Sequence, residues 1–128
     1  MDNLRFVFAD EAPLSALCEA FNEGFSDYKY GVQFDVTQME RFLERSGVLR
    51  ENSALMLERR GDGWHGAGLG LMGLDEERRA WCSGLAVVPA LRNRGHARTL
   101  IEMIQQKAAE QGSAALQLEV LVNNAPAL

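Results

Sequence analysis

Apolar and polar positions along the chain follow two rhythms, one of period two and one of three to four. Leu4, Phe6 and Phe8 alternate with their neighbours and predict a strand over Leu4 to Ala9, closed by Asp10-Glu11-Ala12-Pro13. Leu14, Leu17, Cys18, Phe21 and Phe25 then recur at helical spacing, with acidic residues and a proline at the entrance. Gly24 to Asp35 breaks both rhythms and carries Phe25, Tyr28, Tyr30 and Phe34 beside Asp27 and Asp35, so a functional loop is expected there. A second helix is expected from the capping box Thr37-Gln38-Met39-Glu40, with Met39, Phe42 and Leu43 on its inner face and its end near Gly47.

From Ser53 the period returns to two. Leu55 and Leu57 lead through Arg59-Arg60 to the turn Gly61-Asp62-Gly63, and Trp64 to Leu74 forms the second arm of a hairpin. Gly66, Gly68, Gly70 and Gly73 weaken that arm as an intrinsic strand but allow a backbone or ligand to approach closely. After the polar turn Asp75 to Arg79, Ala80 to Val88 reads as a buried strand stopped by Pro89, which has no N–H to donate to a ladder. Ala97, Leu100, Ile101, Ile104 and Ala108 make a helical stripe ending at Gly112, and Leu116 to Val122 is a final strand. With no repeat and no linker of biased composition, residues 1–128 are expected to form a single domain.

Charge narrows the range of partners. A formal net charge of -5 disfavours binding to nucleic acid or to an anionic membrane surface, both of which attract clustered Lys and Arg. No apolar run has the length of a membrane span, and the first residues do not read as an export signal. Cys18 and Cys82 have no short Cys/His spacing around them, so neither a disulfide framework nor a metal site is expected, and a cytoplasmic location fits best.

Against that acidic background one basic cluster stands out. A strand stopping at Pro89, then Arg92-x-x-Gly95-x-Ala97, then a helix, aims unpaired N–H groups at one point. Gly95 permits positive φ and close approach, Ala97 keeps the helix entrance narrow, and Arg92, Arg94 and Arg98 add positive charge. Basic residues at a helix start oppose its dipole, and a bound anion removes the conflict. A pyrophosphate suits the place. A tight turn with a solvated arginine face is the plainer alternative, and an unrelated nucleotide-phosphate site is another.

The stretch Leu85-Ala86-Val87-Val88-Pro89-x-x-Arg92-x-x-Gly95-x-Ala97 resembles motif A of the GNAT superfamily of acyl-CoA-dependent N-acetyltransferases. Leu118-Glu119-Val120 and Asn124-x-x-Ala127 resemble its continuation, while the N-terminal half agrees in element order only. The resemblance implies an α/β fold with a mixed, mostly antiparallel sheet flanked by helices. It implies that Leu85, Ala86 and Val87 pair with the pantetheine arm of acetyl-CoA, that Arg92, Asn93, Arg94, Gly95, His96, Ala97 and Arg98 surround the pyrophosphate, and that Asn124 touches the cofactor further along. The implied reaction is acetyl transfer to a primary amine of a small molecule or peptide, through a tetrahedral oxyanion. Glu119 is the candidate base, since burial between apolar strand neighbours would raise its pKa.

The family's usual acid, a tyrosine on the helix opened by the asparagine-alanine segment, has no counterpart before Leu128. The C-terminal strands of the family are therefore expected to be missing or supplied by a partner. A fragment of a longer or tandem acyltransferase, or a homodimer, ranks ahead of a noncatalytic acyl-CoA-binding or dimerisation module of the same fold. Of the remaining candidates, His65 is expected to be structural, Cys82 a buried core thiol, and Glu23, Asp27 and Asp35 a solvated loop face or a lure for a cationic amine.

Overall fold

The structure, a computed structural model, describes residues 3–27, 33–113 and 116–122, with the backbone alone over 118–122. Strands β1 (Leu4–Phe8), β2 (Ala54–Arg60), β3 (Gly63–Leu74), β4 (Ala80–Val87) and β5 (Leu116–Val122) lie side by side in chain order in one sheet. Neighbours are antiparallel up to β4, and β5 runs parallel to β4. Helices α1 (Leu14–Gly24) and α2 (Val36–Arg45) cover one face, and α3 (His96–Glu110) the other. The mixed, mostly antiparallel sheet flanked by helices is thus present.

Period-two patterning decides which residue meets which helix. Leu55, Leu57, Leu69 and Leu71 point toward Leu17, Phe21, Met39 and Leu43 of α1 and α2. Ala54, Met56, Leu85 and Val87 point toward Leu100 and Ile104 of α3. Leu4 and Phe6 share the α3 side, as the alternation in β1 predicts, and Val7 takes the other. A sheet covered on both faces has no polar side to present, which is why the central strands read as near-continuous apolar runs.

Two bulges adjust this pattern. Pairing of β2 with β3 steps from Met56 opposite Gly68 to Leu57 opposite Gly66, leaving Ala67 as an extra residue. Pairing of β3 with β4 steps from Leu71 opposite Gly84 to Met72 opposite Cys82, leaving Ser83 extra. Each insertion reverses the alternation locally, so Gly66 and Gly84 both come to lie under the α1 side of the sheet.

Among the glycines of β3, Gly66 leaves the room that α1 needs. A Cβ on Gly66 would overlap the Ala16 carbonyl oxygen of α1, and one on Gly70 would meet Leu100 and Ile104 of α3. At the other end of α1, a Cβ on Gly24 would stand 2.9 Å from the Ala86 Cβ. The helix therefore lies on the sheet almost backbone to backbone.

Two local expectations change. Helix α2 starts two residues before the anticipated box: Asp35 caps it, accepting from the Gln38 N–H at 2.7 Å, and the Gln38 side chain accepts from the Asp35 N–H at 2.9 Å. Asp serves as well as Thr at an N-cap, and Gln38 already sits three residues on to complete the pair. The aromatic segment is also drawn inward. Phe25 is 3% exposed, and Phe34 stacks on Phe21 at 5.1 Å between centroids. Phe25 belongs to the core and the partly buried Phe34 packs against it, whereas Tyr28 and Tyr30 lie outside the described residues. Among the described residues no helix is long and apolar enough to cross a membrane.

Gly66→Ala should destabilise the protein by more than about 3 kcal/mol, since overpacking against backbone cannot be relieved by a rotamer change. Urea denaturation followed by circular dichroism measures this, and a loss under about 1 kcal/mol would show that α1 does not lie where the structure puts it.

Candidate functional site

The site begins where β4 stops. Val88 donates its N–H to the Ala67 carbonyl of β3 at 2.9 Å, Pro89 ends the ladder, and Pro89–Leu91 forms one 3-10 turn anchored by the buried Leu91 side chain. Asn93 (φ 64°) and Gly95 (φ 84°, ψ 5°) then take left-handed conformations, and α3 starts at His96. Asn tolerates this region better than most side chains, and glycine enters it freely.

The outcome is a helix start without a cap. No side chain caps α3 and its first turn holds no acidic residue. The first helical bond runs from the Thr99 N–H to the Gly95 carbonyl. Among the described residues, none of the backbone N–H groups from Asn93 to Arg98 finds a protein acceptor. These donors stand at the positive end of a 15-residue helix, in a turn that also carries the exposed Arg94 and Arg98. Ala97 is 2% exposed and packs into the α3-side core, so a larger side chain there would push the helix start away from β4.

His96 contributes differently from the arginines. Its ring packs against Phe6 at 5.9 Å between centroids. Burial, reinforced by the charge of Arg94, holds its pKa below the ordinary imidazole value of 6.5. The ring is accordingly neutral at pH 7.

Arg92 is turned away from this spot. Its Nε donates to the Val87 carbonyl at 2.9 Å and its Nη2 to the Gly24 carbonyl at 2.8 Å. Nη1 and Nη2 grip both carboxylate oxygens of Asp27, at 2.6 and 2.9 Å. The hydrogen bond from Arg92 is the main reason the Asp27 carboxyl is held below the usual carboxylate range.

Leu85 faces Val122 of β5 in the last described pair, while Ala86 and Val87 continue with pairing to β3 only among the described residues. Glu119 falls within β5, where pairing steps from Cys82 opposite Leu118 to Gly84 opposite Leu121. Glu119 and Val120 together thus stand opposite Ser83. Asn124 lies outside the described residues.

Cys82 is fully buried, and burial pushes its thiol up to about 11, so it is a core thiol and not a nucleophile. His65 pairs through Nδ1 with Glu19 at 2.7 Å. Glu23 binds Arg60 at 2.9 Å and Asp35 caps α2, so both remain solvent-accessible but each also has a structural partner. The sequence reading missed these pairings. The local hint was the four-residue spacing of Glu19, Glu23 and Asp27, an acidic row along α1 and just past its end, while the partners His65, Arg60 and Arg92 lie far along the chain. Among the described residues no group of His, Cys, Asp or Glu is placed to hold a metal ion.

A family model described as the acetyltransferase (GNAT) family matches residues 14–128. The chain belongs to the GNAT acetyltransferase family. Solved GNAT structures share its fold. The NatC complex bound to Gag peptide and CoA superposes with a TM-score of 0.73 at 19% identity, covering 98% of this chain and 79% of that one. The ribosomal-protein-S18-alanine N-acetyltransferase of Escherichia coli gives 0.65 at 17% identity, covering 97% and 71%. The yncA protein of Salmonella typhimurium with its cofactor acetyl-CoA gives 0.63 at 18%, covering 90% and 68%. No curated protein matches the sequence.

The state of His96 is directly measurable. In an NMR pH titration its imidazole should titrate below 6.5, and Arg94→Ala should raise the midpoint while leaving it below that of a free imidazole, because burial remains. A folded-state pKa below the unfolded one means that the associated stability is present above about pH 6.5 and is lost as pH falls through that window. A midpoint at or above the free value would contradict the packing against Phe6.

Proposed function

We propose that this GNAT domain binds acetyl-CoA and transfers its acetyl group to a primary amine of a small molecule or peptide. The observation that carries the reading is the row of unpartnered N–H groups from Asn93 to Arg98, set at the end of a strand whose last two residues lack a partner on the β5 side among the described residues. The turn Asn93 to Arg98 holds the pyrophosphate, with Arg94 and Arg98 supplying charge-assisted contacts. Leu85, Ala86 and Val87 offer backbone groups along β4 to the amide-bearing pantetheine arm, in the manner of an added strand. Asn124 completes the cofactor side.

An acetyl donor supplies the electrophilic thioester carbon. The protein's part is to hold it and to take a proton from the incoming ammonium, and Glu119 is the residue assigned to that task. Its position on β5, opposite Ser83 of β4, is compatible with that task if the pantetheine runs along the end of β4. For the acceptor, peptide chemistry has some support: one structural neighbour holds a Gag peptide, and another is named for an alanine of ribosomal protein S18.

Calorimetry with CoA tests the binding step. The wild-type chain should bind CoA without effective competition from ATP, and Gly95→Val should weaken binding by about 30-fold or more, because a β-branched residue cannot hold φ near 84° without strain. Release of free thiol from acetyl-CoA in the presence of an amine panel tests the chemistry. Glu119→Gln should cut that rate by about 100-fold with CoA affinity unchanged. CoA binding without any thiol release would leave a noncatalytic acyl-CoA-binding module as the better description.

A further inference from the structure

The turn that would hold the pyrophosphate has little internal support. Its own backbone contributes Leu91 N–H to the Val88 carbonyl at 3.0 Å and Arg92 N–H to the Pro89 carbonyl at a long 3.4 Å. Two residues in left-handed conformations follow within three positions. Something outside the turn must fix its direction. Arg92 is the residue that leaves the turn and grips three separate segments: the end of β4 at Val87, the last carbonyl of α1 at Gly24, and Asp27 just beyond α1.

We propose that Asp27, acting through Arg92, is a positioning residue for the pyrophosphate turn, and that Arg92 braces this turn instead of contacting the anion. The inference rests on the reading of that turn as a CoA site. The Arg92 side chain is 13% exposed, and four protein hydrogen bonds occupy its fork of five N–H donors. Bidentate pairing with a carboxylate is the geometry in which a guanidinium loses least freedom per bond. Coulomb's law makes the placement informative. A carboxylate one guanidinium away from an anion site repels the anion, so its presence is accounted for by the mechanical tie that it makes. Removing Asp27 therefore has opposite effects under the two roles of Arg92. If Arg92 touches phosphate, loss of Asp27 frees a cation and tightens binding. If Arg92 braces the turn, loss of Asp27 loosens it and weakens binding.

Calorimetric titration of the 128-residue chain with CoA separates these outcomes. Asp27→Ala and Arg92→Ala should each weaken CoA binding by about fivefold or more, and the double variant should be no weaker than Arg92→Ala alone, as for two residues acting through one contact. Asp27→Glu should recover affinity to within about twofold of wild type, because it restores the carboxylate to the fork. Asp27 has a half-exposed side chain, so its variants should fold, and thermal melts confirm that each is native at the titration temperature. If Arg92→Ala does not fold, the Asp27 pair still decides the matter. Wild-type-like or tighter binding by Asp27→Ala overturns the proposal, as does a double variant whose losses add. Failure of the wild type itself to bind CoA overturns both the brace and the CoA reading, a result distinct from failure of the brace alone.

Discussion

The parallel pairing of β5 with β4 is the constraint on which the rest of this structure depends. Every earlier neighbour in the sheet is antiparallel, and β3 and β4 each follow their predecessor through a short turn. A strand that lies beside β4 in the same direction cannot. The chain must travel back along the sheet before β5 begins, and α3 makes that journey. The N-terminus of α3 is thereby delivered to the C-terminal end of β4. A helix start whose N–H groups lack acceptors, and a strand end without a β5 partner, among the described residues, are thereby brought together.

The opposite face supplies the rigidity that this junction lacks. Helix α1 sits close enough that Gly66 and Gly24 admit no Cβ without collision or tight contact. Glu19, Glu23 and Asp27 then tie the same helix to His65, Arg60 and Arg92. Most of these pairs are too exposed to add much stability individually. Their value is directional, since they fix how α1 lies over β3 and how its end meets the turn after β4. The acidic row and the basic turn are therefore parts of one device.

Much of this was legible in the chain. The alternation through Leu4 to Phe8, the stop at Pro89 and the stripe from Ala97 to Ala108 all gave the right elements, because each rests on a local rule that burial on the expected face reinforces. The turn of the candidate site was legible for the same reason: Arg92-x-x-Gly95-x-Ala97 is contiguous, and its backbone demands follow from its residue types. What escaped was long-range. The pairing of Asp27 with Arg92 spans 65 positions, and the close approach of Gly66 to Ala16 spans 50, so neither partnership can be read from a short window. Phe34 looked like a loop aromatic because the segment before it has no period, whereas Phe25 already fell on the apolar stripe of the first helix. The packing of Phe34 follows from the space between α1 and α2, which no short window contains. The capping box shifted because two overlapping boxes were available and the earlier one carried an Asp.

The central claim is that the open N–H groups at the start of α3 receive an anion. The most direct test is a two-dimensional amide NMR titration of the ¹⁵N-labelled chain with CoA. The account predicts that the largest shifts fall on the amides of Asn93 to Arg98, with smaller ones along Leu85 to Val87. Saturable binding that leaves those amides unmoved, and instead perturbs the cleft of about 570 Å³ lined by Glu77, Arg78, Gly112 and Gln117 at the far end of the sheet, would contradict it.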